Sequence, residues 1–177
     1  MIVISDTSPI IYLAKIEKLS ILKDLYTKIY IPSEVWKELI YPISQNKTNI
    51  PTDIKFEIDA KEFGWLIVKD PEKEVYHEMA LNLSRELGRG EAYAIALSLE
   101  LKADVLLIND KKAKEIAENK GIKTRWNTEV LLDALKQKLI QDYQEFEKLL
   151  NRMIEVGFWI EKREYEKVIL KAKNIMK

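Results

Sequence analysis

The chain contains no cysteine and a single histidine, His77. The first absence excludes disulfides, zinc–thiolate sites and cysteine nucleophiles. The second rules out clusters of imidazole ligands and leaves little scope for a histidine-based triad. His77 itself falls in the polar helical stretch EVYHEMA, where it reads as a surface residue. Charge of one sign is also lacking, since 29 Lys and Arg balance 29 Asp and Glu. A neutral chain has no global field to attract nucleic acid, so any basic contact must be built locally. No apolar run reaches the length of a membrane span. The amino terminus has no basic leader and its first apolar run is interrupted at Asp6, which predicts a cytoplasmic protein. Nothing approaches GxxxxGK followed by Ser or Thr, so no P-loop is present.

What remains is an apolar pattern suited to a folded domain, with 47% hydrophobic residues over 177 positions. Short β-branched runs predict strands at 2–5, 28–31, 65–68, 104–108 and 122–124. Helical spacing predicts helices near 9–25, 33–41, 74–84, 90–101 and 111–120 between them. This alternation implies a three-layer α/β/α fold with a central parallel sheet of about five strands. The polar, proline-containing stretch YPISQNKTNIPTD (41–53) reads as a loop. Beyond residue 125 the pattern turns all-helical, with helices at 128–140, 142–154 and 161–173, the second stopped by Gly157. The chain therefore divides into an α/β domain, 1–125, and a helical extension, 126–177, that packs on the same domain or on a dimer partner.

With nitrogen and sulfur ligands scarce, a strong metal site would have to use oxygen, which points to Mg2+ or Mn2+. Four acids deserve comparison. Asp6 ends the first apolar run and precedes Thr7, Ser8 and Pro9, where Ser8 would cap a helix beginning at Pro9. DVLLIND repeats the pattern, with Asp110 after an apolar strand and before a helix; alone, Asp110 reads as a helix cap. If these two strands are neighbours where strand order reverses, Asp6 and Asp110 meet at the carboxyl edge that such sheets use for ligands. Glu91 falls in the first turn of the helix opened by the glycines of LGRGEAYAIAL, a favourable place for a carboxylate in its own right. Glu38, in IPSEVWKEL, reads by itself as part of a solvated helix face.

Taken together, DTSPI, IPSEVWKEL, GRGEAYAIALSLELKADVLLINDKKA and the tail with GFWI resemble PIN-domain proteins, in particular the subgroup with a GEA helix and a carboxy-terminal GFWI segment. The resemblance covers nearly the whole chain. It implies a metal-dependent nuclease, specifically a ribonuclease of the kind found as the toxin of toxin–antitoxin pairs, with RNA (or DNA) as substrate, an antitoxin as partner and a homodimer as the assembly. It maps the four family acids onto Asp6, Glu38, Glu91 and Asp110. Asp6, Glu91 and Asp110 would hold Mg2+ or Mn2+, and Glu38 would bind a second ion or orient water. Without metal, four such acids should raise one another's pKa values. Arg89, Lys111 and Lys112, with Arg85 and Lys114 nearby, are the candidates for phosphate contacts. Thr7, Ser8 and Asn109 would orient the acids.

The chain also departs from the family pattern. Glu91 stands where many PIN nucleases have Asp, and Asn109–Asp110 stands where related sequences often have two acids. Lys111 and Lys112 follow Asp110 where a further acid is common, and RWNTE (125–129) replaces a glycine-rich turn. These departures favour the alternative reading, a PIN-like binding or assembly module without turnover. Phosphotransfer through Asp6 is disfavoured, because haloacid-dehalogenase-like enzymes have a second Asp where Ser8 stands.

Overall fold

The computed structural model describes residues 1–45 and 50–176. In chain order the elements are β1 (Val3–Ser5), α1 (Thr7–Lys15), α2 (Ser20–Tyr26), β2 (Ile29–Ile31), α3 (Ser33–Gln45), α4 (Thr52–Glu62), β3 (Leu66–Val68), α5 (Glu74–Leu83), α6 (Arg89–Glu100), β4 (Val105–Leu107), α7 (Lys111–Asn119), β5 (Thr124–Arg125), α8 (Asn127–Lys136), α9 (Tyr143–Glu155) and α10 (Lys162–Ile175). All strand pairs are parallel, in the order β3-β2-β1-β4-β5. Strand order therefore reverses between β1 and β4, which lie side by side with Val3 opposite Val105 and Ser5 opposite Leu107. This is the three-layer arrangement that the alternating pattern predicts.

Strand side chains alternate between two cores, as a pleated sheet requires. Val3, Val105 and Leu107 face a large core shared with α1, α2, α3, α4, α8, α9 and α10. Ile4, Leu106 and Ile108 face a smaller one closed by α6 and α7. On that second side small residues of α6, Ala94 and Ala96, let the helix lie close to its neighbours, and α5 packs along it through Ala80. The tail is continuous with the first core: Phe146, Leu150 and Met153 are fully buried in the same cluster as Val3 and Ile10.

Several boundaries differ from those expected. The single helix expected at 9–25 is two, because Glu17 takes a left-handed φ of 60° and the chain turns while Ile16 and Leu19 stay buried. The first of them begins at Thr7, with Asp6 rather than Ser8 in the N-cap position. Pro9 then sits in the first turn, where a missing N–H costs nothing. The loop expected at 41–53 is helical at both ends: α3 runs on through Pro42 to Gln45, and α4 begins at Thr52. Its centre, 46–49, lies outside the described residues. The strand expected at 122–124 is shifted to Thr124–Arg125, and α8 ends at Lys136 rather than 140. Gly157 does end α9's run, with φ at 105°.

Helix α4 was not expected, and its chemistry explains why. Its buried residues, Ile54, Glu57 and Ala60, recur at helical spacing, but the central one is a carboxylic acid. Glu57 is only 2% exposed and its Oε2 has no hydrogen-bond partner among the described residues. Burial, with Asp53 adding repulsion and Lys15 offsetting part of it, pushes its pKa up to about 8. Glu57 is therefore neutral in the fold across the range where an unfolded chain has ionised it, so stability declines as pH rises from the ordinary glutamate value to about 8 and levels off above that. Glu57→Gln removes this decline. Thermal unfolding should show the variant matching the parent near pH 4 and exceeding it by on the order of a few kcal/mol above about pH 8. A gap independent of pH would refute the assignment.

Candidate active site

The carboxyl edge of the sheet at the β1–β4 reversal carries the site. The Asp6 amide donates to Leu107 O at 3.0 Å, tying the end of β1 to the end of β4. A cavity of about 260 Å³ opens there, lined by Asp6, Thr7, Ser8, Ile11, Glu38, Gly88 and Glu91. Three of the four expected acids thus share one cavity, although they come from the β1–α1 junction, from α3 and from α6. Asp110 borders this constellation at the end of β4 and adds repulsion to Glu91. It lines a neighbouring groove rather than the cavity itself.

Each acid is held differently. Asp6 is 4% exposed and sits at the N-cap of α1, beside the amides of Thr7 and Ser8. Burial raises its pKa from 3.8 to about 7; the Thr7 and Ser8 amides pull it back in part, and Glu91 and Glu38 push it further up. Glu38 is gripped from two elements: Thr7 Oγ1 donates to its Oε2, and the Gly90 amide donates to Oε1 at 3.2 Å. Glu91 reaches back to the start of α6, its Oε2 accepting from Gly88 N at 3.0 Å. Its pKa is raised chiefly by burial, then by Asp110 and Glu38, while Gly88 opposes the shift. Asp110 is the N-cap of α7 and accepts from Ala113 N at 2.7 Å. The expectation that the acids raise one another's pKa values is met in direction for Asp6 and Glu91, but burial outweighs mutual repulsion in both.

Thr7 serves two acids: its hydroxyl donates to Glu38, while its amide, with that of Ser8, acts on Asp6. Ser8 lines the cavity. Asn109 does not reach an acid; its side chain pairs with Asn127 by two bonds, accepting from the backbone amide at 3.0 Å and donating to Oδ1 at 3.2 Å. Asn127, fully buried, donates in turn to Pro9 O at 3.3 Å. This clamp joins the ends of β4 and β5 to the first turn of α1. Sequence reasoning missed Asn127; the only signal was the polar RWNTE where a turn was expected. In that stretch Trp126 is the N-cap of α8 and Glu129 accepts from its amide at 3.0 Å, so the chain passes directly from strand to helix.

The candidate phosphate contacts fare unequally. Arg89 is paired with Glu34 at 3.3 Å and lies against the Tyr93 ring, and Lys112 is paired with Glu86 at 3.2 Å. Lys114 pairs loosely with Glu118 at 3.7 Å and covers the Trp126 ring. Among the described residues Lys111 is exposed and has no ion-pair partner. His77 is exposed, as expected, and touches Tyr93.

The donor set is entirely carboxylate oxygen, which fits Mg2+ or Mn2+ and not zinc. Among the described residues no three acid or histidine side chains stand grouped as a finished metal cage. Glu91 and Asp110 each accept a backbone amide at their own helix starts. Those bonds occupy one oxygen of each, Oε2 and Oδ1, and leave the other for a cation. The buried Asp6 carboxylate beside two further acids is a site that a divalent ion would relieve.

An open parallel sheet with acids converging at its strand-order reversal defines the class of α/β proteins that bind ligands at that edge. A family model for the PIN domain matches residues 2–174, and the chain belongs to that family. PIN domains are in general nucleases, typically metal-dependent. No curated protein matches the chain.

Two outcomes test this geometry. Because Asp6 stays protonated in the fold up to about pH 7, the metal-free protein should lose stability as pH rises from about 4 to 7. Asp6→Asn should therefore melt close to the parent near pH 4 and above it near pH 8, in chelator; a constant gap would contradict the burial. At Gly90, an added Cβ would lie 2.9 and 3.0 Å from the two Glu38 carboxylate oxygens. Gly90→Ala should displace Glu38 without unfolding the protein, because the obstructing atoms end a flexible side chain and Ala favours helix by about 1 kcal/mol. Calorimetric Mn2+ titration should show weaker or altered binding, at unchanged or higher melting temperature, if Glu38 holds a second ion; unchanged metal binding would show that Glu38 is not a ligand and leave it the role of orienting water.

Proposed function

We propose that the chain is a divalent-metal-dependent endoribonuclease that hydrolyses RNA phosphodiester bonds at the Asp6–Glu38–Glu91–Asp110 edge. The observation that carries this reading is the buried Asp6 carboxylate, raised in pKa and facing Glu38 and Glu91 across one cavity. Asp6, Glu91 and Asp110 would hold Mg2+ or Mn2+, which when bound supplies charge neutralisation at the phosphate and an acidified water. Glu38, with both oxygens already accepting from Thr7 and Gly90, is placed to orient a water and take its proton. Ile11 supplies an apolar wall to the cavity. Lys111 meets the substrate backbone; Arg89 and Lys112 join it by exchanging Glu34 and Glu86 for phosphate. A toxin role, an antitoxin partner, a homodimer and a cytoplasmic location follow from the family resemblance, and the division at residue 125 belongs to the same reading.

A second reading, a PIN module without turnover, is favoured by the capping bonds that engage Glu91 and Asp110. One experiment separates the two. Purified protein is incubated with mixed labelled RNAs in Mn2+, Mg2+ or chelator, and its melting temperature is followed in the same metals. The nuclease should cleave only with metal. Asp6→Asn and Asp110→Asn should lose more than the roughly 10–100-fold that removal of an outer partner costs. Metal at 100 times its dissociation constant should stabilise the parent by about 2.7 kcal/mol and leave Asp6→Asn unmoved. Metal binding without cleavage would favour the silent module; cleavage in chelator would overturn the metal-based mechanism.

A further inference from the structure

We propose that Glu34 is an internal competitor for substrate phosphate: its carboxylate occupies the place between Arg89 and Lys37 that a backbone phosphate of a nucleic acid would take. The inference rests on the nucleic-acid reading of the acid edge and extends it to how access to that edge is controlled. Glu34 meets both cations at once. Its Oε1 accepts from Lys37 Nζ at 2.8 Å and from Arg89 Nη2 at 3.4 Å, and its Oε2 faces Arg89 Nε at 3.3 Å. Two oxygens set against a forked guanidinium, with an ammonium on one of them, is the pattern by which Arg and Lys hold phosphate. The acid is the recessed member, 17% exposed, whereas Arg89 and Lys37 are 58% and 65% exposed. Both cations are thus open to an incoming anion while their present partner is internal.

Position ties this cluster to the acids. Glu34 lies one helical turn before Glu38 on α3. Arg89 lies between Gly88, which lines the acid cavity, and Gly90, whose amide donates to Glu38. Helix α3 and the start of α6 are therefore joined by two successive rungs, Glu34 to Arg89 and Glu38 to Gly90. The Lys37 bond holds the Glu34 carboxyl below the usual glutamate range, against burial and with help from Arg89, so the competitor is an anion at neutral pH. Ion pairs with cations this exposed are weak, so the acid can be displaced. A lone phosphodiester carries the same single charge as the carboxylate and gains little by replacing it. A phosphate belonging to a chain already held at Lys111 arrives at high local concentration and does displace it. Glu34 thereby favours a polynucleotide over isolated phosphate groups, in a chain whose zero net charge gives no general attraction.

The test is fluorescence anisotropy of labelled single-stranded oligouridine with the full chain, in chelator, over a salt series starting low. Glu34→Gln should tighten binding about three- to tenfold and steepen the fall of log K with log salt by roughly 0.7 per contact freed. Glu34→Ala should act in the same direction. In the background Arg89→Gln with Lys37→Gln, removing Glu34 should change affinity by less than about twofold, because its effect runs through those two cations. Equal or weaker binding by both Glu34 variants, an undiminished gain in the background lacking both cations, or no oligouridine binding by any form would overturn the proposal. A gain that needs the cations, found in a protein without metal-dependent cleavage, would keep the competitor and sink the nuclease reading alone.

Discussion

Burying a carboxylate at a sheet edge is the constraint around which this molecule is arranged. Asp6 is 4% exposed and, among the described residues, no cation offsets its charge. A desolvated anion of this kind either takes a proton or gains a positive partner. The first option is visible in its raised pKa. The second is what a divalent ion would supply, and Glu38 and Glu91 crowd the same cavity without themselves contributing positive charge. Asp6 sits at an N-cap, where the Thr7 and Ser8 amides offset only part of the effect of burial. Asp110, at the equivalent place after β4, caps its helix. The two strand-terminal aspartates look alike in sequence and differ in what holds them.

The scaffold keeps that cavity open by close approach rather than by bulk. Gly90 is buried against Glu38 with no room for a Cβ, and its amide is one of the two donors on that carboxylate. The other donor, Thr7, is adjacent to Asp6 in sequence, so a displacement of Asp6 would carry the grip on Glu38 with it. Glu91, one residue after Gly90, is fixed by the turn that Gly88 makes. The acid positions are therefore linked through backbone amides and one hydroxyl, not through cations, which leaves their negative charge uncompensated for a ligand.

The strand-terminal acids were legible because they depend on local pattern, an apolar run, a carboxylate, then a helix; the adjacency of β1 and β4 entered the sequence reading only as a condition. The GEA helix was legible for the same reason. What escaped were features decided by tertiary context. Helix α4 carries Glu57 where its periodicity needs an apolar residue, so the pattern gives no signal. The break between α1 and α2 rests on Glu17 adopting a positive φ, for which a glutamate gives no warning. Asn109 resembled an orienting residue for the acids because it neighbours Asp110, yet its amide is committed to Asn127, 18 positions away. The cations near the acids were readable as residues but not as free charges, since Arg89 and Lys112 are neutralised by Glu34 and Glu86 from elsewhere in the chain.

The Asn109–Asn127 clamp also changes how the helical tail relates to the site. Asn127 begins α8, and beyond its bond to Pro9 it touches Met153 Sδ at 3.7 Å, so α9 backs the same buried amide. Phe146 and Leu150 then anchor α9 in the core that contains Val3 and Ile10, which flank Asp6 on either side in sequence. Disturbing the tail would reach Asp6 by two routes, through packing on the β1–α1 unit and through the amide clamp at the strand ends. The tail is thus part of what sets the position of the first acid. The acid edge and the neighbouring groove between α7, α8 and α10 in turn share Asp110, whose place is set by β4 on one side and by its own helix cap on the other.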